Sequence, residues 1–445
     1  MIDTSFLKGR TVAVMGLGKS GAATVDALLH GGAIVWAWDD NEAARAPGLP
    51  LVDLAAADFA GLDLLVWSPG IPHTFPQPHP VAEKARAAGI PLVCDVDLLA
   101  SARPDLRPLA VSGTNGKSTT TTLLAHILAA AGRAVAAGGN LGTPVLALPD
   151  LGPEGRVVLE LSSYQLELVP SLRLAAAVLL NITPDHLGRH GGMEGYIAAK
   201  RGLFDRLAPG GVAVVGVDDA PSAAIAEALP DAVRISVERE LAKGVSAPDG
   251  VLLDDGKPVR DLKTIARLPG RHNWQNACAA YAMARADGIA PETIAAALAT
   301  YPGLAHRQEL VATIDGVAWI NDSKATNADA AEKALVCYPR ILWIIGGQAK
   351  EGGIVSLAPH FGRVAHAFLI GEAADSFAAT LAGRVAFSRS GTLESAVAEA
   401  AAMAKAGDTV LLSPACASWD QFHSFEHRGE VFRALVAALA KGRAA

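Results

Sequence analysis

Short apolar runs alternate with amphipathic stretches along most of the chain, and this rhythm predicts the fold class before any motif is considered. In the first hundred residues, Thr11–Met15, 33–38, Leu64–Trp67 and 91–94 read as strands, while 20–30 and 79–88 carry helical patterns. Runs that are apolar at successive positions, rather than at every second one, predict parallel strands covered on both faces by helices. A polar, proline-bearing stretch at 101–108 reads as a linker. Beyond it, 157–161, 176–181 and 211–215 are further strand candidates. Helices are expected over 272–285 and Pro291–Thr300, with a small hairpin near Asp254 and Lys257. A third region begins near Gly303 with a second hairpin, 310–314 and 317–320, joined by Asp315-Gly316, a dipeptide suited to tight two-residue turns. Strands at 341–345, 367–370 and Thr409–Leu412 then alternate with alanine-rich helices, the longest expected over 393–404. The prediction is an α/β protein of three successive units.

Composition narrows the function classes. A chain of 445 residues is too long for one core. Its formal net charge of −7 and 5% aromatic content give no basic, stacking-rich footprint, so no nucleic-acid partner is expected. Cys94, Cys278, Cys337 and Cys416 are widely spaced, which argues against a zinc site or a disulfide framework and for a reducing compartment. No apolar run approaches the roughly 18–20 residues of a membrane span. Met1-Ile2-Asp3-Thr4 does not open a secretory signal. A cytoplasmic protein without a membrane partner is expected, and nothing demands more than a monomer.

The strongest chemistry-bearing stretch is Gly113-Thr114-Asn115-Gly116-Lys117-Ser118-Thr119, directly after the apolar run Leu109–Ser112. A strand feeding a glycine-rich turn, with a helix beginning near Ser118, converges backbone N–H groups and a helix N-terminus on phosphate oxygens. In this pattern Lys117 bridges the terminal phosphates of a nucleotide and Ser118 helps hold Mg²⁺. The longer form of the motif would place glycine at 111, where Val111 stands, so the loop is a shortened one.

A second glycine pattern, Gly16-Leu17-Gly18-Lys19-Ser20-Gly21, also follows a strand and precedes a helix, and Asp39 ends the next strand. Alone it fits a dinucleotide site with Asp39 on a ribose hydroxyl. It also fits a different nucleotide diphosphate, or a tight turn with no ligand. Glu160 closes a strand and is either a Mg²⁺ ligand or a solvated strand-end carboxylate. His186, in Asn181-Ile182-Thr183-Pro184-Asp185-His186, is a metal ligand, a group that orients a phosphate, or structural. Lys200 by itself reads as a surface lysine. Asn321-Asp322-Ser323-Lys324-Ala325-Thr326-Asn327 is dense in polar groups for a loop, and functional and solvated readings both stand. Ser413-Pro414-Ala415-Cys416-Ala417-Ser418 suits close approach of an anion, with Cys416 more plausible as a buried small residue than as a nucleophile.

These stretches, together with Leu159 to Glu167, His272-Asn273, His306-Arg307 and the segment from Ser413 to Phe425, resemble the Mur ligases in order and spacing along essentially the whole chain. The resemblance implies a Rossmann-like UDP-sugar domain over 1–100, a central P-loop ATPase-type domain with a parallel sheet over 101–302, and a C-terminal Rossmann-like amino-acid domain over 303–445. It implies an ATP-dependent ligase that activates a UDP-N-acetylmuramoyl-L-alanine carboxylate as an acyl phosphate and joins it to glutamate, with two Mg²⁺ ions. The implied ATP contacts are Gly113 to Thr119, Asn273, Arg307 and Asp322, with Lys117, His186 and Lys200 catalytic. Ser118, Glu160, His186 and an N-carboxylated Lys200 are the implied metal ligands. Gly18, Ser20, Asp39, Ser68, Asn140 and Ser162 are implied for the UDP-sugar, and Lys324, Thr326, Lys350, Ser418 and Phe425 for glutamate. Two other activities compete: an NAD-dependent oxidoreductase built on Gly16 to Gly21, and a folate polyglutamate ligase in which that loop is idle.

Overall fold

The computed structural model describes residues 1–349 and 352–444. They form two compact units, one of residues 1–262 with 273–300, the other of residues 263–272 with the chain from 301 onward. The first unit contains two sheets. Four parallel strands lie in the spatial order Ile34–Trp38, Thr11–Met15, Leu64–Trp67, Leu92–Val93. Val12, Ala13, Val14 and Met15 are all essentially inaccessible, which is why the run is apolar at every position.

The larger sheet runs Lys257–Asp261, Val251–Asp254, Val245–Ser246, Val233–Ser236, Leu207–Gly216, Leu174–Leu179, Leu109–Ser112, Arg156–Glu160, Val135–Gly139. It is parallel except at the hairpin end. Leu109–Ser112 is wholly buried and lies between Leu174–Leu179 and Arg156–Glu160, parallel to both. Its C-terminal end therefore opens beside two other strand ends, the usual position of a ligand site in an open α/β sheet.

The second unit holds six strands in the order Glu309–Ile314, Val317–Asn321, Thr409–Leu412, Ile341–Gly346, Val364–Ile370, Phe387–Gly391. The first pair is the antiparallel hairpin, and Asp315 (φ +51°) and Gly316 (φ +77°) both adopt the left-handed conformation that its turn requires. The remaining neighbours are parallel.

Several elements differ from the sequence expectation. The longest helix of the second unit is Phe425–Ala444 rather than Leu393–Met403. Its polar opening, Glu426-His427-Arg428, obscures the stripe carried by the buried Phe432 and Val436. The expected linker is anchored chain: Ser101 and Ala102 finish the helix Asp95–Ala102, Arg103 pairs with Asp105 and Asp150, and Leu106 is buried. Among the described residues no helix is long and apolar enough to cross a membrane.

Candidate active site

The strand Leu109–Ser112 delivers the chain to Gly113, and the helix Lys117–Ala130 begins four residues later. The loop between them is fixed from the neighbouring strand end. Thr114 N donates to Asn181 O at 2.9 Å and Asn115 N donates to Asn181 Oδ1 at 2.9 Å. Thr183 N donates to Thr114 Oγ1 at 3.0 Å, and that hydroxyl lies 3.0 Å from the Tyr196 hydroxyl. Gly116 has φ +87°, and a Cβ there would come within 2.2 Å of Asn276 Oδ1, so the position is closed to other residues. Asn276 in turn accepts from Thr120 Oγ1 and donates to Asn273 Oδ1, both at 3.1 Å. Asn273 thus belongs to the support of the loop.

Two ammonium groups meet at one carbonyl. Lys117 Nζ donates to Gly113 O at 3.0 Å and to Thr114 O at 2.8 Å, and Lys200 Nζ donates to Gly113 O at 2.8 Å. Far from lying on the surface, Lys200 is 2% exposed on the helix Met193–Arg201. Burial and then the charge of Lys117 push its amine down to about 7, against the opposing pull of Asp185. His186 heads the short helix Leu187–His190 with φ +53°, and its ring lies 3.4 Å from Asp185 Oδ2. Burial lowers its pKa, Asp185 raises it, and Lys117 and Lys200 lower it further, leaving a neutral imidazole able to act as a ligand.

Glu160, 2% exposed, ends the strand Arg156–Glu160. Its Oε1 accepts from Asn140 Nδ2 at 2.9 Å, while its buried Oε2 has no hydrogen-bond partner among the described residues. Such an acceptor costs about 1–3 kcal/mol if nothing satisfies it. An oxygen-seeking cation would do so. No group of three or more His, Cys, Asp or Glu able to hold a metal occurs among the described residues. Ser162 caps the helix Ser163–Leu166 in a reciprocal capping box with Gln165.

At the first glycine loop, a Cβ on Gly16 (φ +93°) would lie 2.5 Å from Ser68 Cβ, which places Ser68 against the loop. Gly18 is the exposed N-cap of the helix Lys19–His30, and Ser20 lies in its first turn. Asp39 accepts from Leu17 N at 2.7 Å through Oδ2 and from Asn41 N at 2.8 Å through Oδ1, so it braces the loop.

In the second unit Asp322 is buried. Ser413 Oγ donates to its Oδ2 at 2.8 Å and Gln308 N donates to Oδ1 at 3.1 Å. Arg307 has a buried Nε without a hydrogen-bond partner among the described residues. Lys324 Nζ lies 4.1 Å above the Phe425 ring, a cation–π contact that brings two of the expected glutamate residues together. Ser418 is 2% exposed and Thr326 half-buried, whereas Lys350 lies outside the described residues. Arg428 follows the C-terminal motif in sequence and is fully buried, a role that the pattern of letters does not show. It donates from Nε to Ser323 Oγ at 2.9 Å and from Nη2 to Ser323 O at 2.8 Å and Cys416 O at 3.2 Å, joining segments 321–327 and 413–418. Cys416 is wholly buried beneath them. Asn181 lies in a stretch singled out in the sequence, but its hold on the loop, like those of Tyr196 and Asn276, depends on which strand ends are neighbours and is not legible there.

Comparison with known proteins gives a consistent assignment. Residues 111–284 match the family model described as the Mur ligase middle domain, and residues 306–416 match that of the Mur ligase glutamate ligase domain. The chain is 66% identical to the UDP-N-acetylmuramoylalanine--D-glutamate ligase of Paramagnetospirillum magneticum, over 100% of both chains. It is 59% identical to the protein of that name from Rhodospirillum rubrum, over 98% of this chain and 96% of the other. Among solved structures, the UDP-N-acetylmuramate-alanine ligase MurC of Thermotoga maritima aligns over 96% of this chain and 99% of its own, at 17% identity and a TM-score of 0.59. MurF of Acinetobacter baumannii aligns over 78% and 80%, at 22% identity and a TM-score of 0.57. These two likenesses concern the fold.

Proposed function

The chain belongs to the Mur ligase family, and from that premise we propose that it joins D-glutamate to UDP-N-acetylmuramoyl-L-alanine, with cleavage of ATP to ADP and phosphate, in the cytoplasmic synthesis of peptidoglycan precursors. The observation that carries this is the 66% identity, along the full length, to a relative of that name. We further propose the three-part division of labour at 1–100, 101–302 and 303–445, acting within a monomer.

A carboxylate is a poor acyl donor, so the reaction divides in two. The substrate carboxylate oxygen attacks the terminal phosphorus of ATP, ADP leaves, and an acyl phosphate results. The amine of glutamate then attacks the acyl carbon, phosphate leaves, a proton is lost from nitrogen, and the amide remains. No enzyme nucleophile is needed; positioning and charge neutralisation do most of the work. Lys117, now folded onto Gly113 O and Thr114 O, is proposed to swing to the transferred phosphoryl group, with the N–H groups of 113–119 around it. Asn273, Arg307 and Asp322 complete the ATP contacts. Gly18, Ser20, Asp39 and Ser68 serve the uridine diphosphate, and Asn140 and Ser162 the acyl arm. Lys324, Thr326, Lys350, Ser418 and Phe425 hold glutamate.

The unsatisfied Glu160 Oε2 supports one Mg²⁺ held with Ser118, and His186 and Lys200 are assigned to a second. When bound, the metal neutralises phosphate charge. An amine at about 7 is about half unprotonated at neutrality, so the free-base fraction of Lys200 can add to CO₂, lose a proton and become a carbamate oxygen donor. The test is ADP release, which should require UDP-N-acetylmuramoyl-L-alanine and glutamate together. NAD-linked redox activity without an amide product would overturn the proposal.

A further inference from the structure

A line of four polar side chains runs beside the phosphate loop without belonging to it. Ser163 Oγ donates to His190 Nε2 at 2.9 Å, His190 Nδ1 donates to Glu167 Oε1 at 3.0 Å, and Glu167 Oε2 lies 3.3 Å from His73 Nε2. A carboxylate facing Nδ1 favours the tautomer with the proton on that nitrogen, which turns Nε2 as acceptor toward the serine hydroxyl. The His190 side chain is 0% exposed, stacked on Tyr164 at 5.4 Å and tilted against Tyr196 at 5.4 Å. Serine, histidine and carboxylate in this order resemble a hydrolase triad. Ser163, however, is 3% exposed and opens the helix Ser163–Leu166, so its oxygen is closed to an acyl group. The line therefore holds segments in place.

The segments it holds both bear proposed UDP-sugar contacts. His73 lies five residues beyond Ser68 in the loop that follows Leu64–Trp67, and Ser163 adjoins Ser162. Arg189, next to His190, grips the same loop independently. Its Nη2 donates to Pro69 O at 3.1 Å and Ile71 O at 3.4 Å, its Nη1 donates to Gly70 O at 3.3 Å, and its guanidinium lies 4.6 Å from the Tyr164 ring centroid. His73 is 5% exposed, and its Nδ1 has no hydrogen-bond partner among the described residues, so Glu167 is the polar contact that accounts for its burial.

We propose that His73, Glu167 and His190 are positioning residues that set the Ser68 loop against Ser162, fixing the spacing at which the UDP-sugar's diphosphate and acyl arm are held. The identity of that substrate rests on the function proposed above. The experiment compares the full-length parent with His73→Ala and His73→Gln, the latter retaining an N–H donor toward Glu167. His73→Ala should raise the KM for UDP-N-acetylmuramoyl-L-alanine about tenfold, with kcat and the KM for ATP changed less than about twofold. Calorimetry without ATP should show the Kd for the UDP-sugar rising by the same factor, and His73→Gln should recover most of it. An unchanged UDP-sugar Kd in His73→Ala, equal rises in all substrate KM values, or no recovery in His73→Gln would overturn the proposal. A parent that binds the UDP-sugar but forms no amide refutes the functional proposal alone, because the Kd comparison still decides the positioning role. A parent that does not bind the UDP-sugar refutes both.

Discussion

Replacing Asp322 by asparagine should stabilise the protein at alkaline pH while impairing its activity. The carboxyl is 4% exposed, and burial pushes its pKa from 3.8 up to about 7. The hydrogen bonds from Ser413 and Gln308, and then the charges of Arg307 and Arg428, pull it the other way. The folded chain therefore holds this proton more tightly than the unfolded chain. Below about pH 4 both states are protonated and nothing is lost. Between about 4 and 7 the unfolded state releases its proton first, so stability falls as pH rises, and above 7 the full cost is present. Integrating over that gap gives a cost of about 1 kcal/mol at pH 4.5 and about 4 kcal/mol at pH 8. Asparagine keeps an acceptor for Gln308 N and offers an N–H to Ser413 Oγ without the charge. Urea unfolding at the two pH values should show Asp322→Asn more stable than the parent by about these amounts. Turnover should drop at least tenfold, because Asp322 is proposed to contact ATP. A variant less stable than the parent at pH 8, or a difference that does not change with pH, would refute the reasoning.

Three further outcomes are expected. Lys117→Ala should lower turnover by about a thousandfold while the calorimetric affinity for the UDP-sugar stays unchanged, and loss of folding instead would contradict its assigned role. Activity should fall when CO₂ is stripped from the buffer and return with bicarbonate; indifference to CO₂ together with full activity of Lys200→Ala would remove Lys200 from the site. Gly116→Ala must accept both a left-handed φ of +87° and a collision with Asn276, so it should lose about 1–3 kcal/mol, read as a lowered melting temperature. An unchanged melting temperature would contradict this.

The sequence reveals the parallel strands well, because burial on both faces makes them apolar without interruption, as in Val12 to Met15. It reveals the phosphate loop for a related reason: the conformation of Gly116 permits only glycine, so geometry leaves a mark in the letters. Elements whose composition serves a local purpose are hidden. Val135–Gly139 ends in two glycines, the second of which lies against the backbone of Glu160. Phe387–Gly391 is an edge strand of Ser-Arg-Ser character. Lys200 misleads because the polar pattern of its helix does not announce burial; the approach of Gly113, together with Tyr196 one turn back on the same helix, encloses it. The line from His73 to Ser163 spans 90 residues and no local pattern carries it. Arg428 likewise reads as an ordinary helix cation until two distant loops close over it.

The central claim concerns which amide is made. Incubation of the protein with ATP, Mg²⁺, UDP-N-acetylmuramoyl-L-alanine and radiolabelled glutamate of either hand tests it directly. The account predicts label in the UDP-sugar fraction from D-glutamate, with one ADP released per amide, and none from L-glutamate. Equal or preferential incorporation of L-glutamate, or ADP release without labelled product, would contradict it.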